Sequence, residues 1–451
     1  MAHWGNGVSD GLDTDVDEGE EAGRCKPVWN GPYALRAFRH RNYALLYTGQ
    51  LISLTGSWMQ GLSLPYLTYT LTGSNILLGI VAAASLLPSL IVTLPSGVIA
   101  DRFSKRRIVI VTQSLLLIQA LMLAVLTFSH TIQVWHIIAL AAFAGFANAM
   151  DMPTRQAMVV ELVGREDLAN AIALNSSMFN LTRIASPLAG GLILAAVGPA
   201  WCFLINAISY LGAIVGLLMM RNVKAKKRAS RDEPMLRQIA EGFNHVWGNQ
   251  LTRSMLILTA ISTLFIGQYT IFFPVYALGI YKVGATGQGM MTMAVGVGAL
   301  TAAMIVSSLG HRHELSTVVF AGGVLAPVGL IALSLCGGFY ASLGCFVVVG
   351  IGMMMFMSST NTIMQVEAPA GLAGRVMSVR ALVLFGLGAP GAAMMGWLSE
   401  MKHVGVRGTL LICASVTLVS TVYFALVLRK ALRATRFAAE SAAEESIGET
   451  N

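Results

Sequence analysis

The chain has 451 residues, of which 55% are hydrophobic and only 12% are charged. Soluble domains carry about 25% charged residues, so a soluble globular protein is excluded and repeated membrane crossing is expected. The net charge of +8 would suit a nucleic-acid binder, but the placement of the basic residues gives it another meaning.

Residues 1–35 read as a disordered acidic tail. Seven of the 22 acidic residues precede Pro27, and the tail has no apolar core that would make it a signal peptide. Apolar runs near 20 residues, the length that crosses a hydrocarbon core of about 30 Å, then recur to the end of the chain. Twelve spans are predicted, at 43–71, 76–100, 108–128, 134–152, 168–197, 200–220, 254–280, 287–309, 317–337, 339–359, 376–399 and 408–428. The fold expected is all-α, with two six-helix halves at 36–220 and 254–428, joined by a linker at 221–253 and followed by a mobile tail at 429–451. Of the 30 Lys and Arg, all but four fall in the two tails or in every second loop, with Arg380, at the start of the eleventh span, counted with its loop. The exceptions are Lys282, Lys402 and Arg407 in the alternate loops, and Arg183 within a span. By the positive-inside rule both termini are cytoplasmic, and the basic excess is topological. A multi-pass protein of the bacterial inner membrane is expected, with no nucleic-acid partner.

In chain order, Gln50, Ser53, Thr55, Ser57 and Gln60 interrupt the first span. Between the second and third lies Gly97-Val98-Ile99-Ala100-Asp101-Arg102-Phe103-Ser104-Lys105-Arg106-Arg107. Asn148 and Asp151 mark the fourth span, which ends at Arg155-Gln156. The fifth carries Asn180, Arg183 and Ser186-Pro187-Leu188-Ala189-Gly190-Gly191. No Asp or Glu lies in the core of any predicted span, so Arg183 has no evident partner. A mid-membrane arginine costs about 3 kcal/mol or more. It either contacts an anionic or oxygen-rich substrate or is held by carbonyls and hydroxyls between helices.

In the linker, Met235, Ile239, Phe243 and Val246-Trp247 recur at helical spacing opposite Arg237, Glu241 and Asn244. That amphipathic helix lies either in the lipid interface or packed under the bundle. Gln268, Tyr269 and Tyr276 mark the seventh span, and Met353-Met354-Met355-Phe356-Met357 the tenth. The eleventh carries Ala389-Pro390-Gly391, at a depth like that of Pro187 in the fifth. Gly-Pro interruptions at matching places in two halves suit a transporter built from repeats. Polar groups within spans face water or the bundle interior, which nominates Gln50, Asn148, Asn180, Gln268 and Tyr269 as cavity residues beside Arg183. Five cysteines, Cys25, Cys202, Cys336, Cys345 and Cys413, form no C-x-x-C pair and read as packing residues. No metal, cofactor or nucleotide site is visible, and no catalytic constellation.

The stretch from Gly97 to Arg107, pinned between two uncharged spans, resembles the signature loop of major facilitator superfamily transporters. The resemblance implies a conformational latch made of Gly97, Asp101, Arg102, Lys105 and Arg106. Asp101 would pair with Lys105, and the pair would engage Asp151 at the cytoplasmic end of span four and the start of span eleven. Pro187, Gly190 and Gly191 match the back half of the motif of the exporting, antiporter branch, although Thr182 and Ser186 replace its other glycines; a simple proline kink is the rival reading. Asp151-Met152-Pro153-Thr154-Arg155-Gln156, Asn170 to Ser176 and Ser57-Trp58-Met59-Gln60 are similar to the enterobactin-exporter-like subfamily. The resemblance implies a secondary exporter of siderophores, drugs or related small molecules, and a monomer is expected. The Gly-Pro breaks suit alternating access, driven by proton antiport or, since no carboxylate lies within the spans, running as facilitated diffusion. Its partners would be that small molecule and membrane lipid. Asp151 and Asp101, with Glu161 third, are the candidate proton carriers. The alternatives are a lipid-handling protein of the same fold or a non-transporting membrane scaffold.

Overall fold

The computed structural model describes residues 33–102, 104–221, 235–308, 312–369 and 371–448, with side chains except at 33, 93–102, 165, 235–236, 238–239, 312–314 and 429–448. Among the described residues there are helices and no strands. A 3-10 helix, Tyr33–Arg39, leads into α1 (Arg41–Thr72), α2 (Asn75–Arg102), α3 (Lys105–Phe128), α4 (Val134–Val197) and α5 (Pro199–Leu218). After α6 (Met235–Gly248) come α7 (Gln250–Phe265), α8 (Gly284–Ser308), α9 (Arg312–Leu335), α10 (Phe339–Val366), α11 (Ala373–Glu400) and α12 (Gly405–Gly448). Among the described residues 11 segments are long and apolar enough to cross a membrane. α1, with 32 residues, is long enough to be the twelfth but carries buried Ser53, Gln60, Ser63 and Thr68. The all-α, twelve-crossing expectation stands.

α4 supplies two crossings. Its 64 residues bend at Gly164, whose φ of 69° suits a residue without Cβ, into limbs Val134–Gly164 and Glu166–Val197. The fourth predicted span stops at 152; the helix does not. Pro153 removes one backbone donor, yet Met158, Val159 and Val163 continue the apolar face and pack against Tyr43, Leu46, Val109 and Leu217. The helix therefore extends past the hydrocarbon as an arm. Beyond the bend, Asp167 ties the 3-10 helix down through Arg36 (3.1 Å), Arg39 (2.7 Å) and His40 (2.7 Å).

The seventh span is predicted as one helix at 254–280 but is broken. α7 ends at Phe265, a 3-10 turn covers Tyr269–Phe272, and a π-helix covers Val275–Ile280. Gly267 and Pro274 bracket the 3-10 turn, and such residues are the usual cause of breaks. α7 begins on a cap in which Asn249 Oδ1 accepts from the Leu251 and Thr252 amides at 2.9 and 3.2 Å. Below it, α6 presses Gly242 against the backbone of Arg375 and buries Val246 with Met255 and Leu256. Phe243 and Trp247 stack with centroids 5.1 Å apart on its exposed side, so the helix both packs under the bundle and presents an aromatic face. The tail after 428, expected to be mobile, continues α12 as helix to Gly448, in keeping with its alanine-rich sequence.

α1 to α5 form one half and α7 to α12 the other. The halves meet chiefly where α2 packs on α11 and where the second limb of α4 packs on α8. Both meetings are glycine crossings. A Cβ on Gly79 would sit 2.5 Å from Ala392 O, and one on Gly396 2.7 Å from Asn75 O. In the other crossing a Cβ on Gly191 would sit 2.9 Å from Ala285 O, and one on Gly289 2.7 Å from Pro187 O. Only glycine lets backbones come this close. The two crossings correspond under exchange of the halves, as repeated architecture requires. All four glycines lie toward the far face, where α1 turns into α2, and not toward the near face that carries the chain ends. The halves are thus closed against each other at the far face.

Candidate functional site

The signature loop lies at the near end. Gly97, Asp101 and Arg102 sit in the last turns of α2, and their side chains lie outside the described residues. Lys105 does not engage Asp151: its Nζ is 2.5 Å from Glu161 Oε1. The reason is the length of the α4 arm. Glu161 lies ten residues, about 15 Å, further along that helix than Asp151, and it is Glu161 that reaches the loop. Arg106 donates to the Leu217 and Leu218 carbonyls at 2.8 and 2.9 Å, so a cation closes the C-terminus of α5. Reversing the charge of Lys105 (Lys105→Glu) is expected to lower Tm by about 2–5 °C. Adding Glu161→Lys should restore most of that loss in the same melting measurement; a double variant no better than the single one would remove the pair from the account.

Asp151 lies deeper than the rim position assigned to it. It is level with Thr112, about seven residues or 10 Å inside α3, and is 7% exposed. Its Oδ1 accepts from Thr112 Oγ1 at 2.6 Å and Gln113 Nε2 at 3.1 Å. Its Oδ2 accepts from Arg155 Nε at 2.6 Å. Gln113 in turn accepts from Ser53 Oγ at 3.2 Å. The buried carboxylate is thus held by one cation and two side-chain dipoles. A spacing of four residues on one helix, Asp151 and Arg155, is the sequence signal for this pair. Toward the far face the polar contacts continue: Gln60 Nε2 donates to Gln119 Oε1 at 3.1 Å, Asn206 Nδ2 donates to Gln60 Oε1 at 2.8 Å, and Ser57 meets the Tyr210 hydroxyl at 3.1 Å. Ser53, Ser57 and Gln60 of α1 therefore build a polar seam within the first half.

Arg183 lies in the second limb of α4, roughly midway along it. Its backbone carbonyl abuts Gly296 of α8, and its half-buried side chain makes no hydrogen bond or ion pair with any described residue. Tyr269, at the break after α7, is its electrostatic neighbour across the halves. Tyr269 itself is buried and packs edge-on to Phe273 at 5.8 Å. Gln268 precedes it, with its amide beside Gly388 of α11. One turn before Arg183, Phe179 meets Trp58 at 5.9 Å, and the Trp58 Nε1 donor is buried without a partner among the described residues. Phe179 and Trp58 were not among the predicted site residues; the helical i,i+4 spacing of Phe179 and Arg183 is the signal that links them.

The other predicted cavity residues are less concentrated. Asn180 spends its amide on Ser176 O at 3.0 Å. Gln50 is half-buried, Asn148 is exposed, and neither hydrogen-bonds to a described residue. Pro187 and Gly191 belong to the far closure, whereas Gly190 packs within the first half, where a Cβ would sit 3.1 Å from Met59 Cγ of α1. Arg380, counted with the loops by sequence, is inside α11 and buried, donating to Asn361 Oδ1 and Met357 O, both at 3.2 Å. The arrangement at the centre is thus an uncompensated guanidinium between aromatic rings, at a helix break, between two repeated halves. Such a place suits a planar ligand that carries negative charge or acceptor oxygens.

Comparison with known proteins agrees with this architecture. The multidrug efflux pump Tap of Mycolicibacterium fortuitum is 27% identical over 384 residues, which is 81% of this chain and 91% of Tap. The enterobactin exporter EntS of Salmonella typhi is 23% identical over 364 residues, 80% of this chain and 86% of that protein. The crystal structure of the nucleoside transporter NupG superposes with a TM-score of 0.68 at 14% identity, covering 86% of this chain and 99% of NupG, and shows the same fold. Residues 32–448 match the family described as transmembrane secretion effector. With twelve crossings in two halves, glycine crossings between them and this match over nearly its whole length, the chain belongs to the transmembrane secretion effector family of the major facilitator superfamily, and is a membrane transporter.

Proposed function

We propose that this transporter exports small aromatic molecules bearing acidic or acceptor oxygens, of the siderophore or drug type, by alternating access in exchange for protons. The observation that carries the reading is Arg183: a cation near mid-membrane without an acid partner among the described residues, near Tyr269 and one turn farther along α4 than the Trp58–Phe179 pair. An unpaired guanidinium in low dielectric attracts an anion strongly, and the rings supply flat apolar contact. Export is supported by Pro187-x-x-Gly190-Gly191 and by the similarity to the efflux pump Tap and the exporter EntS. With both termini in the cytoplasm, as the basic loops argue, the far closure faces outward and the cavity is loaded from the cytoplasm. Asp151, the buried carboxylate beside the cavity, is the proton carrier; its release from Arg155 on protonation couples the proton to the movement of α4.

The test is accumulation in everted membrane vesicles with an imposed pH gradient, offering a catecholate siderophore beside cationic dyes. Gradient-driven accumulation of the catecholate is expected, abolished by an ionophore that collapses the gradient. Accumulation of cationic dyes alone would overturn the substrate class.

A further inference from the structure

The far closure holds one feature that its glycines do not explain. Glu400, the last residue of α11, reaches across to the other half. Its Oε2 accepts from the Asn75 amide at 2.9 Å and from the Ile76 amide at 3.3 Å. These are the first amides of α2, which have no partner within their own helix. A carboxylate there gains two charge-assisted hydrogen bonds and the favourable end of the helix dipole. The residue is supplied from the opposite half of the molecule, so these bonds exist only while the far face is shut. One turn deeper, Gly79 and Gly396 touch, which sets the distance at which the carboxylate reaches the amides. The other glycine crossing has no equivalent: four residues past Gly191, where Glu400 stands four past Gly396, is Ala195.

We infer that Glu400 is the positioning residue of the far gate: a detachable cap, contributed by α11 to α2, that biases the transporter toward its far-closed state. The glycine seams permit closure by fitting the backbones together, and they fit without charge. Glu400 adds a bond that must break before the halves can part, and its absence from the second crossing makes α2–α11 the side that controls opening. This inference rests on the alternating-access part of the proposed function and is independent of the substrate.

Cys202 provides a native reporter. It is fully buried with Leu62 and Leu194 of its own half and Ala285 of the other, so it stays covered while the far face is closed. Cys413 is equally buried but lies within the second half. In membranes carrying the full chain with either cysteine as the single thiol and the others replaced by serine, N-ethylmaleimide labelling rates are compared for wild type, Glu400→Gln and Glu400→Ala. Loss of the cap in Glu400→Ala should speed Cys202 labelling about fivefold, with Glu400→Gln between, because it keeps an acceptor oxygen and loses the charge. Cys413 labelling should not change. An unchanged Cys202 rate in Glu400→Ala, or an equal rise at Cys413, would overturn the inference, the latter by showing general loosening. No substrate is added, so failure to move a catecholate and failure of the gate are read separately.

Discussion

Arg183→Ala is expected to lower catecholate export about 10- to 100-fold while leaving the protein folded and in the membrane. A hydrogen bond to a charged group contributes roughly 1.5–3 kcal/mol, and each 1.4 kcal/mol is a factor of ten. The guanidinium also supplies the charge that draws an anion into a low-dielectric space. The companion expectation is what separates a substrate contact from a structural residue. Arg183 has no partner among the described residues, so removing it breaks no bond and deletes a charge whose burial costs about 3 kcal/mol or more. The melting temperature of Arg183→Ala in detergent should therefore equal or exceed that of the wild type. Arg183→Lys should keep part of the transport, since an ammonium supplies the charge without the planar fork. A variant that loses stability along with transport, or one that transports normally, would assign Arg183 to helix packing.

Asp151→Asn should separate export from the pH gradient. The amide keeps an oxygen for Thr112 and Gln113 but is never negative, so Arg155 is left without its counter-charge whether or not a proton is offered. Downhill efflux of preloaded substrate should persist, while uphill accumulation in everted vesicles falls to the level seen with an ionophore. Stability falls as well, because breaking a buried pair at one partner leaves an uncompensated charge, typically about 3–5 kcal/mol. Asn retains neutral contacts and so should lie toward the lower end. Adding Arg155→Gln removes the orphaned charge and should recover stability without recovering coupling. Gradient dependence that survives Asp151→Asn would move the proton site elsewhere.

The all-helical, many-span architecture and the pairing of Pro187 with Pro390 were legible in the sequence, because lipid admits so few backbone solutions that hydropathy reports them directly. Arg183 was legible for the same reason: a charge in an apolar run is conspicuous. What stayed hidden lies where helices continue outside the hydrocarbon or break within it. Nothing in residues 153–163 marks a turn, so the α4 arm was misplaced, and with it the partner of Lys105: the arm brings Glu161, not Asp151, to the loop. Placing Asp151 at the rim also hid its buried pair with Arg155 between α3 and α4. The break at Gly267 and Pro274 carried a signal, but neither residue alone distinguishes a kink from an interruption. Glu400 reads as an ordinary helix-end acid until the fold sets it against α2.

α1 carries a consequence for how the molecule is made. It is the first crossing helix to leave the ribosome among those described, and it is the one too polar to rank with the other eleven. Gln60 is satisfied by Gln119 of α3 and Asn206 of α5, and Ser57 meets Tyr210 of α5. Those partners do not exist when α1 is synthesised. Residues 41–72 are therefore expected to partition into lipid more weakly than the other spans, and to be held beside the insertion machinery until α3 and α5 arrive. Biogenesis of the first half is then an assembly reaction among several helices, so lesions in α5 far from the cavity would surface as failed integration of α1.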